Sequence, residues 1–76
     1  MTKAFVLITT EIGKGDQVYD ALKQLEGVTD VNIVAGTYDI VAVLQAPETR
    51  DIGRIVMGPI QKLDGVMSTV TLMAVV

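Results

Sequence analysis

Leu25-Glu26-Gly27-Val28 returns 38 residues later as Leu63-Asp64-Gly65-Val66. The offset is half of a 76-residue chain, and self-similarity at a fixed offset suggests two copies of one supersecondary unit. In each copy a helical pattern closes on Leu, an acid and Gly, and a strand begins at Val. Gly suits the position just past a helix C-terminus, where the backbone turns left-handed.

Working outward, the first unit opens with Ala4 to Thr9, an apolar, β-branched run bounded by Thr10 to Gly15, which reads as a strand. From Asp16 to Leu25 the apolar residues Val18, Ala21, Leu22 and Leu25 follow an i, i+3, i+4, i+7 spacing, one face of a helix. Val28 to Ala35 and Tyr38 to Ala46 read as two strands joined in a hairpin at Gly36-Thr37, and Pro47 ends the second. In the second unit Thr49 is the expected cap of a helix whose apolar face is Ile52, Ile55, Val56 and Ile60, closed by Leu63. Gly58-Pro59 interrupts it, and a kink or break near Met57 is expected because Pro59 has no N–H to donate. Val66 to Val76 supplies the last strand.

The order β-α-β-β-α-β with right-handed crossovers gives an α+β, ferredoxin-like fold: a four-stranded antiparallel sheet in spatial order 4-1-3-2, both helices on one face. Residues 1–76 read as a single domain. A sheet with one wet face alternates apolar and polar residues. Here the first strand sets Ala4, Val6 and Ile8 against Phe5 and Leu7. The third sets Ile40, Ala42 and Leu44 against Val41 and Val43, and the fourth Val70, Leu72 and Ala74 against Met73 and Val75. Two short helices cover one face. The second needs a cover, and another copy of the same sheet is the simplest, so a homodimer with packed sheets is expected, with a larger ring also open.

Composition supports association. An isolated domain of this size buries only about 60% of its unfolded surface, and with no Cys it has neither disulfides nor thiolate metal sites to reinforce it. Six basic against nine acidic residues, net charge −3, with the basic ones scattered, argue against direct nucleic-acid binding. No apolar run approaches the roughly 20 residues that span a bilayer, and no basic segment precedes an apolar one at the N-terminus. A soluble cytoplasmic protein is expected, with no membrane partner and no cofactor.

Gly36-Thr37-Tyr38-Asp39 is the candidate functional stretch. A turn uses Gly and Asp for backbone reasons, whereas Thr37 and Tyr38 add a hydroxyl and an aromatic face beside a carboxylate. Together these can hold a small zwitterion such as an amino acid. The plain alternative is an ordinary hairpin turn in which Asp39 bonds nearby backbone amides. Met57, Met67 and Met73 read as core or interface filler. Glu11, Lys14 and Asp16 read as a solvated loop and helix start, and Arg50 and Arg54 as the solvent face of the second helix. Gly13 and Gly15 do not open a phosphate loop.

Gly36-x-Tyr38-Asp39 before an apolar strand, Leu63-x-Gly65-Val66, and Thr69-x-Thr71 in the final strand resemble the regulatory (RAM) domain of the Lrp/AsnC transcription regulators. The resemblance covers essentially the whole chain. It implies a subunit that dimerises through its sheet as a dimeric α/β barrel, assembles into rings, and binds an effector amino acid between neighbouring dimers. Full-length members carry an N-terminal helix-turn-helix domain, whereas this sequence enters its first strand just after Met1. A stand-alone domain is therefore expected, with a fragment of a longer member as the alternative, sensing an amino acid or modulating full-length relatives by co-assembly. Carried over by residue, the ligand site comprises Gly36, Tyr38 and Asp39 with Thr69 and Thr71. Gly36 allows close backbone approach, Asp39 pairs with an α-ammonium, Tyr38 walls the pocket, and the Thr hydroxyls bond the carboxylate or a polar side chain. Because the second and fourth strands lie at opposite sheet edges, the site is expected to be shared between subunits. Two other readings stand beside this one: an assembly module that binds nothing, and a small ferredoxin-like barrel enzyme. With no His or Cys, the commonest general base and thiol nucleophile are absent, and no enzyme is expected.

Overall fold

A computed structural model describes residues 1–76. The elements are β1 (Thr2–Thr10), α1 (Gly15–Leu22), β2 (Val28–Ile33), β3 (Ile40–Ala46), α2 (Thr49–Ile55), a π-helical turn (Val56–Ile60) and β4 (Val66–Met73). The sheet is antiparallel in the order β2-β3-β1-β4, the ferredoxin-like order expected from the sequence.

Element ends differ from the pattern reading for local reasons. The helix expected to reach Leu25 stops at Leu22. The chain then tightens through i→i−3 bonds, Gln24 N–H to the Ala21 carbonyl and Leu25 N–H to the Leu22 carbonyl, both 3.1 Å. Leu25 still packs on the core. Glu48, not Thr49, holds the cap position of α2: its backbone N–H donates to Asp51 Oδ2 at 3.1 Å, in a capping box. The interruption expected near Met57 is a change of helix type. Pro59 cannot donate to the carbonyl four residues back, and Gln61 N–H bonds the Val56 carbonyl, five residues back, at 3.0 Å.

The echo is structural. Gly27 and Gly65 both have positive φ, 91° and 101°. Val28 N–H donates to the Leu25 carbonyl (3.3 Å) and Val66 N–H to the Leu63 carbonyl (3.2 Å). The Gly27 carbonyl accepts from Gln45 N–H at 2.9 Å and the Gly65 carbonyl from Glu11 N–H at 2.8 Å, so each glycine ties to the end of a strand from the opposite half of the chain. Immediately after each Val the register shifts by one residue, at Thr29 in β2 and Met67 in β4. Each glycine also abuts the opposite helix. A Cβ on Gly27 would meet Ile55 Cδ1, and one on Gly65 would meet Lys14 Cβ and Val18 Cγ2, each at 2.9 Å.

One sheet face forms the core. Ala4, Val6 and Ile8 of β1 pair with Leu44, Ala42 and Ile40 of β3, and all six are fully buried under Val18, Leu22, Ile52, Val56 and Ile60. The opposite face carries Phe5 and Leu7 flanked by Val43 and Val41 on β3 and by Leu72 and Val70 on β4. Leu72 and Val70 are 49% and 40% exposed, the other four partly buried. This is the second apolar face that the sequence called for. No helix is long and apolar enough to cross a membrane.

Candidate functional site

The segment between β2 and β3 is wider than a tight hairpin, running from Val34 to Asp39. It closes by Val34 N–H donating to the Asp39 carbonyl at 2.9 Å. Gly36, at φ 144° with open space around its Cα, and Thr37 are exposed, while Tyr38 and Asp39 are partly buried. Asp39 is anchored against β1: its N–H donates to the Ile8 carbonyl at 3.0 Å. Its Oδ2 accepts from Thr10 N–H at 2.8 Å and from the Thr10 hydroxyl at 3.4 Å. One carboxylate oxygen therefore fastens the loop, and Oδ1 takes no part in these bonds.

On β4, Thr69 pairs with Ile8 and Thr71 with Val6. Cross-strand neighbours project to the same side, so both threonines lie on the helix side of the sheet. They escape burial because α1 and α2 pack chiefly over β2, β3 and β1, while the π-helical turn is the helical segment that lies most against β4. Thr69 Oγ1 accepts from Gln61 Nε2 at 3.1 Å, and Thr71 is exposed. Ala74 N–H donates to the Lys3 carbonyl at 2.9 Å. By the alternation of an antiparallel ladder, the backbone groups of Thr69, Thr71 and Met73 therefore face the free edge.

The loop and the threonines are nearer than strand order alone suggested. β2 and β4 are indeed the edges, but the loop's C-terminal arm enters β3, an inner strand, and its carboxylate bonds the end of β1. Thr10 in turn pairs with Val66 of β4. Counting strand spacings of about 4.8 Å and ladder steps of about 3.4 Å puts the Asp39 carboxylate about 10 Å from Thr69 and about 15 Å from Thr71. They share one end of the sheet without meeting.

A feature the sequence reading missed joins the units beside this end. Lys14 Nζ bonds Asp64 Oδ1 at 3.0 Å and Oδ2 at 3.1 Å, and Gln17 Nε2 bonds Asp64 Oδ2 at 2.9 Å and its carbonyl at 3.2 Å. The Gln17 and Lys14 hydrogen bonds hold the Asp64 carboxyl below the usual carboxylate range, and the Asp64 bond raises the Lys14 ammonium. The partners are 47 and 50 residues apart, so no local pattern announces them.

The largest concavity, an open cleft of about 740 Å³, lies at the other end of the sheet, between Gly27, Gln45, Pro47, Arg54, Ile55 and Pro59. None of the five candidate site residues lines it. Its charged lining is Glu26 and Arg54, both exposed, and the half-buried Asp51.

Residues 3–75 match the family model described as the Lrp/AsnC ligand binding domain. An uncharacterised HTH-type transcriptional regulator of Pyrococcus furiosus is 35% identical over 99% of this chain, which spans about half, 52%, of that relative's length. A solved Thermus thermophilus protein superposes with a TM-score of 0.93 at 34% identity, covering 97% of this chain and 92% of that one. A Neisseria meningitidis transcriptional regulator solved as a complex with L-Met superposes with a TM-score of 0.87 at 10% identity, over 97% of this chain and 49% of that one, a likeness of fold.

Proposed function

The chain belongs to the Lrp/AsnC ligand-binding domain family, and from that premise we propose that it is a regulatory domain that binds a small effector amino acid at a site completed between subunits. The observation that carries the reading is the pair of threonines on the helix side of β4, Thr71 exposed and Thr69 half-buried beside Gln61, with unpaired backbone groups beside them, at the sheet end where Asp39 leaves Oδ1 free. Asp39 Oδ1 receives the α-ammonium in a charge-assisted bond. Thr71 and the β4 edge receive the carboxylate. Tyr38 and Gly36 form the wall. The separation of about 15 Å between the Asp39 carboxylate and Thr71 exceeds what the ammonium and carboxylate of one amino acid bridge within a subunit, so the partner half comes from a neighbouring copy. Sheet packing over Phe5, Leu7, Val41, Val43, Val70 and Leu72 builds the dimer, and dimers associate further into a ring.

The amino-acid complex of the Neisseria regulator supports the ligand class, and the relatives' names as transcriptional regulators support a regulatory rather than catalytic output. In this reading the domain reaches transcription by assembling with regulators of its own family.

The test is a calorimetric screen of the twenty amino acids alongside light scattering. At least one is expected to bind, to raise Tm and to change oligomer mass. Asp39→Asn keeps an acceptor for Thr10 but lowers the charge offered to the ammonium, and together with Thr71→Val it weakens binding at least tenfold while the dimer persists. If no amino acid binds or alters the mass, the domain is an assembly module and the reading is wrong.

A further inference from the structure

We infer that Gln61 is a specificity-determining residue, and that the hollow it forms with Thr69 selects an effector with an uncharged side chain; this rests on the reading of Thr69 as a site residue. The hollow, about 420 Å³, is lined by Gln61, Val66, Met67, Ser68 and Thr69. None of these is ionisable. Gln61 Nε2 donates to Thr69 Oγ1 at 3.1 Å, which settles the polarity of both groups. The Thr69 hydroxyl has an acceptor lone pair occupied and presents its hydrogen, while the Gln61 amide presents Oε1 as an acceptor. A neutral donor and a neutral acceptor thus stand side by side between the apolar stems of Val66 and Met67.

The placement of Gln61 follows from the sequence upstream. Pro59 withdraws a donor from the helix, and the π-helical turn Val56–Ile60 inserts one extra residue before the chain leaves it. One residue is about 100° of helical rotation, since a turn takes 3.6 residues. That rotation aims Gln61 at β4, the one strand the regular helices leave uncovered. Turns of this type recur where a helix is modified for function.

A charged effector side chain entering this hollow meets no counter-charge among the residues that line it, whereas a neutral one meets groups matched to it. Methionine, leucine or a carboxamide side chain meets apolar walls and a matched donor and acceptor. Lysine and glutamate do not.

The experiment is calorimetry on the whole chain with Leu, Met, Asn, Lys and Glu as probes, on the native protein, Gln61→Glu and Thr71→Val, with circular dichroism melts to check folding. The native protein is expected to bind the best neutral probe at least tenfold tighter than Lys or Glu. Gln61→Glu narrows or inverts the neutral-to-Lys ratio by at least tenfold, whereas Thr71→Val weakens all probes alike and leaves their order unchanged. If a neutral probe binds best but Gln61→Glu leaves the order intact, Gln61 merely tethers the π-helical turn to β4 and the inference falls while the effector reading stands. If Lys or Glu binds best, the inference also falls. Absence of binding by every probe removes the reading beneath it as well.

Discussion

Replacing Gly65 by alanine tests the close approach between the two halves. Gly65 has φ 101° and a Cβ there would stand 2.9 Å from Lys14 Cβ, 2.9 Å from Val18 Cγ2 and 3.2 Å from Lys14 Cδ. The backbone term alone, a Cβ in a left-handed conformation, costs about 1–2 kcal/mol. Lys14 Cβ cannot rotate away, because it is fixed to the backbone that leads into α1, so the helix start must shift, at a cost of about 1–3 kcal/mol for overpacking. Together these give about 2–5 kcal/mol, or a Tm fall of roughly 8–40 °C, at about 4–8 °C per kcal/mol for a domain of this size. Two companion substitutions separate the terms. Gly13 has φ 83° with nothing within 4 Å of its Cβ position, so Gly13→Ala reports the backbone term alone. Gly27→Ala meets chiefly Ile55 Cδ1, a terminal methyl that can turn aside. Urea and thermal melts at one fixed protein concentration are expected to rank the losses Gly65→Ala, then Gly27→Ala, then Gly13→Ala. Equal losses at Gly65 and Gly13 would refute the argument that helix contact, and not φ, makes Gly65 necessary.

Two further outcomes follow from the same structure. Leu72→Lys puts a charge on the outer sheet face at a side chain already 49% exposed in the subunit; a fall of the mass from dimer to monomer by light scattering, with the circular dichroism spectrum retained, is expected, and an unchanged dimer would put the interface elsewhere. For the Lys14–Asp64–Gln17 cluster, Asp64 titrates below its ordinary 3.8 in the folded chain, so its contribution is present above that value and is lost as pH falls through the folded pKa. Lys14 is raised above 10.5, so its contribution is present below that value and is lost only as pH climbs through the folded one. Urea midpoints of the native chain and Asp64→Asn are therefore expected to differ at pH 7 and to converge as pH falls below 3.8 and through the folded pKa; a gap that persists in acid would mean that Asp64 acts through something other than its charge.

The sequence told the fold because its strongest signals are local and repeated. Helical spacing at Val18 and Leu22, the unbroken apolar, β-branched run from Ala4 to Thr9, and the echoed Leu-acid-Gly-Val each fix an element from a few neighbouring residues. What it did not tell is set by contacts across the chain. The capping role of Glu48 depends on Asp51 turning back to its N–H, a choice that Thr49 competes for on composition alone. The one-residue register shifts at Thr29 and Met67 are invisible to period-two reading, since each strand looks continuous. The candidate site was legible as residue types in Gly36 to Asp39 and in Thr69 and Thr71. The bond from Thr10 to Asp39, 29 residues apart, and the bond from Gln61 to Thr69 were not, because each is made by an ordinary polar residue at the end of an element.

β4 ties these points together. Its alternate residues serve opposite sides: Val70 and Leu72 project with Leu7 and Phe5 onto the outer face, while Thr69 and Thr71 project with Ile8 and Val6 onto the helix side. A second copy covering the outer face would pack on the same strand whose other side, in the proposed function, receives the effector. A ligand seated between copies binds the assembled form more tightly than the separated subunit. Affinity and association are then linked by one free energy that acts equally in both directions. Under this arrangement Leu72→Lys, which touches no ligand, weakens effector binding by the same factor by which effector strengthens assembly in the native chain.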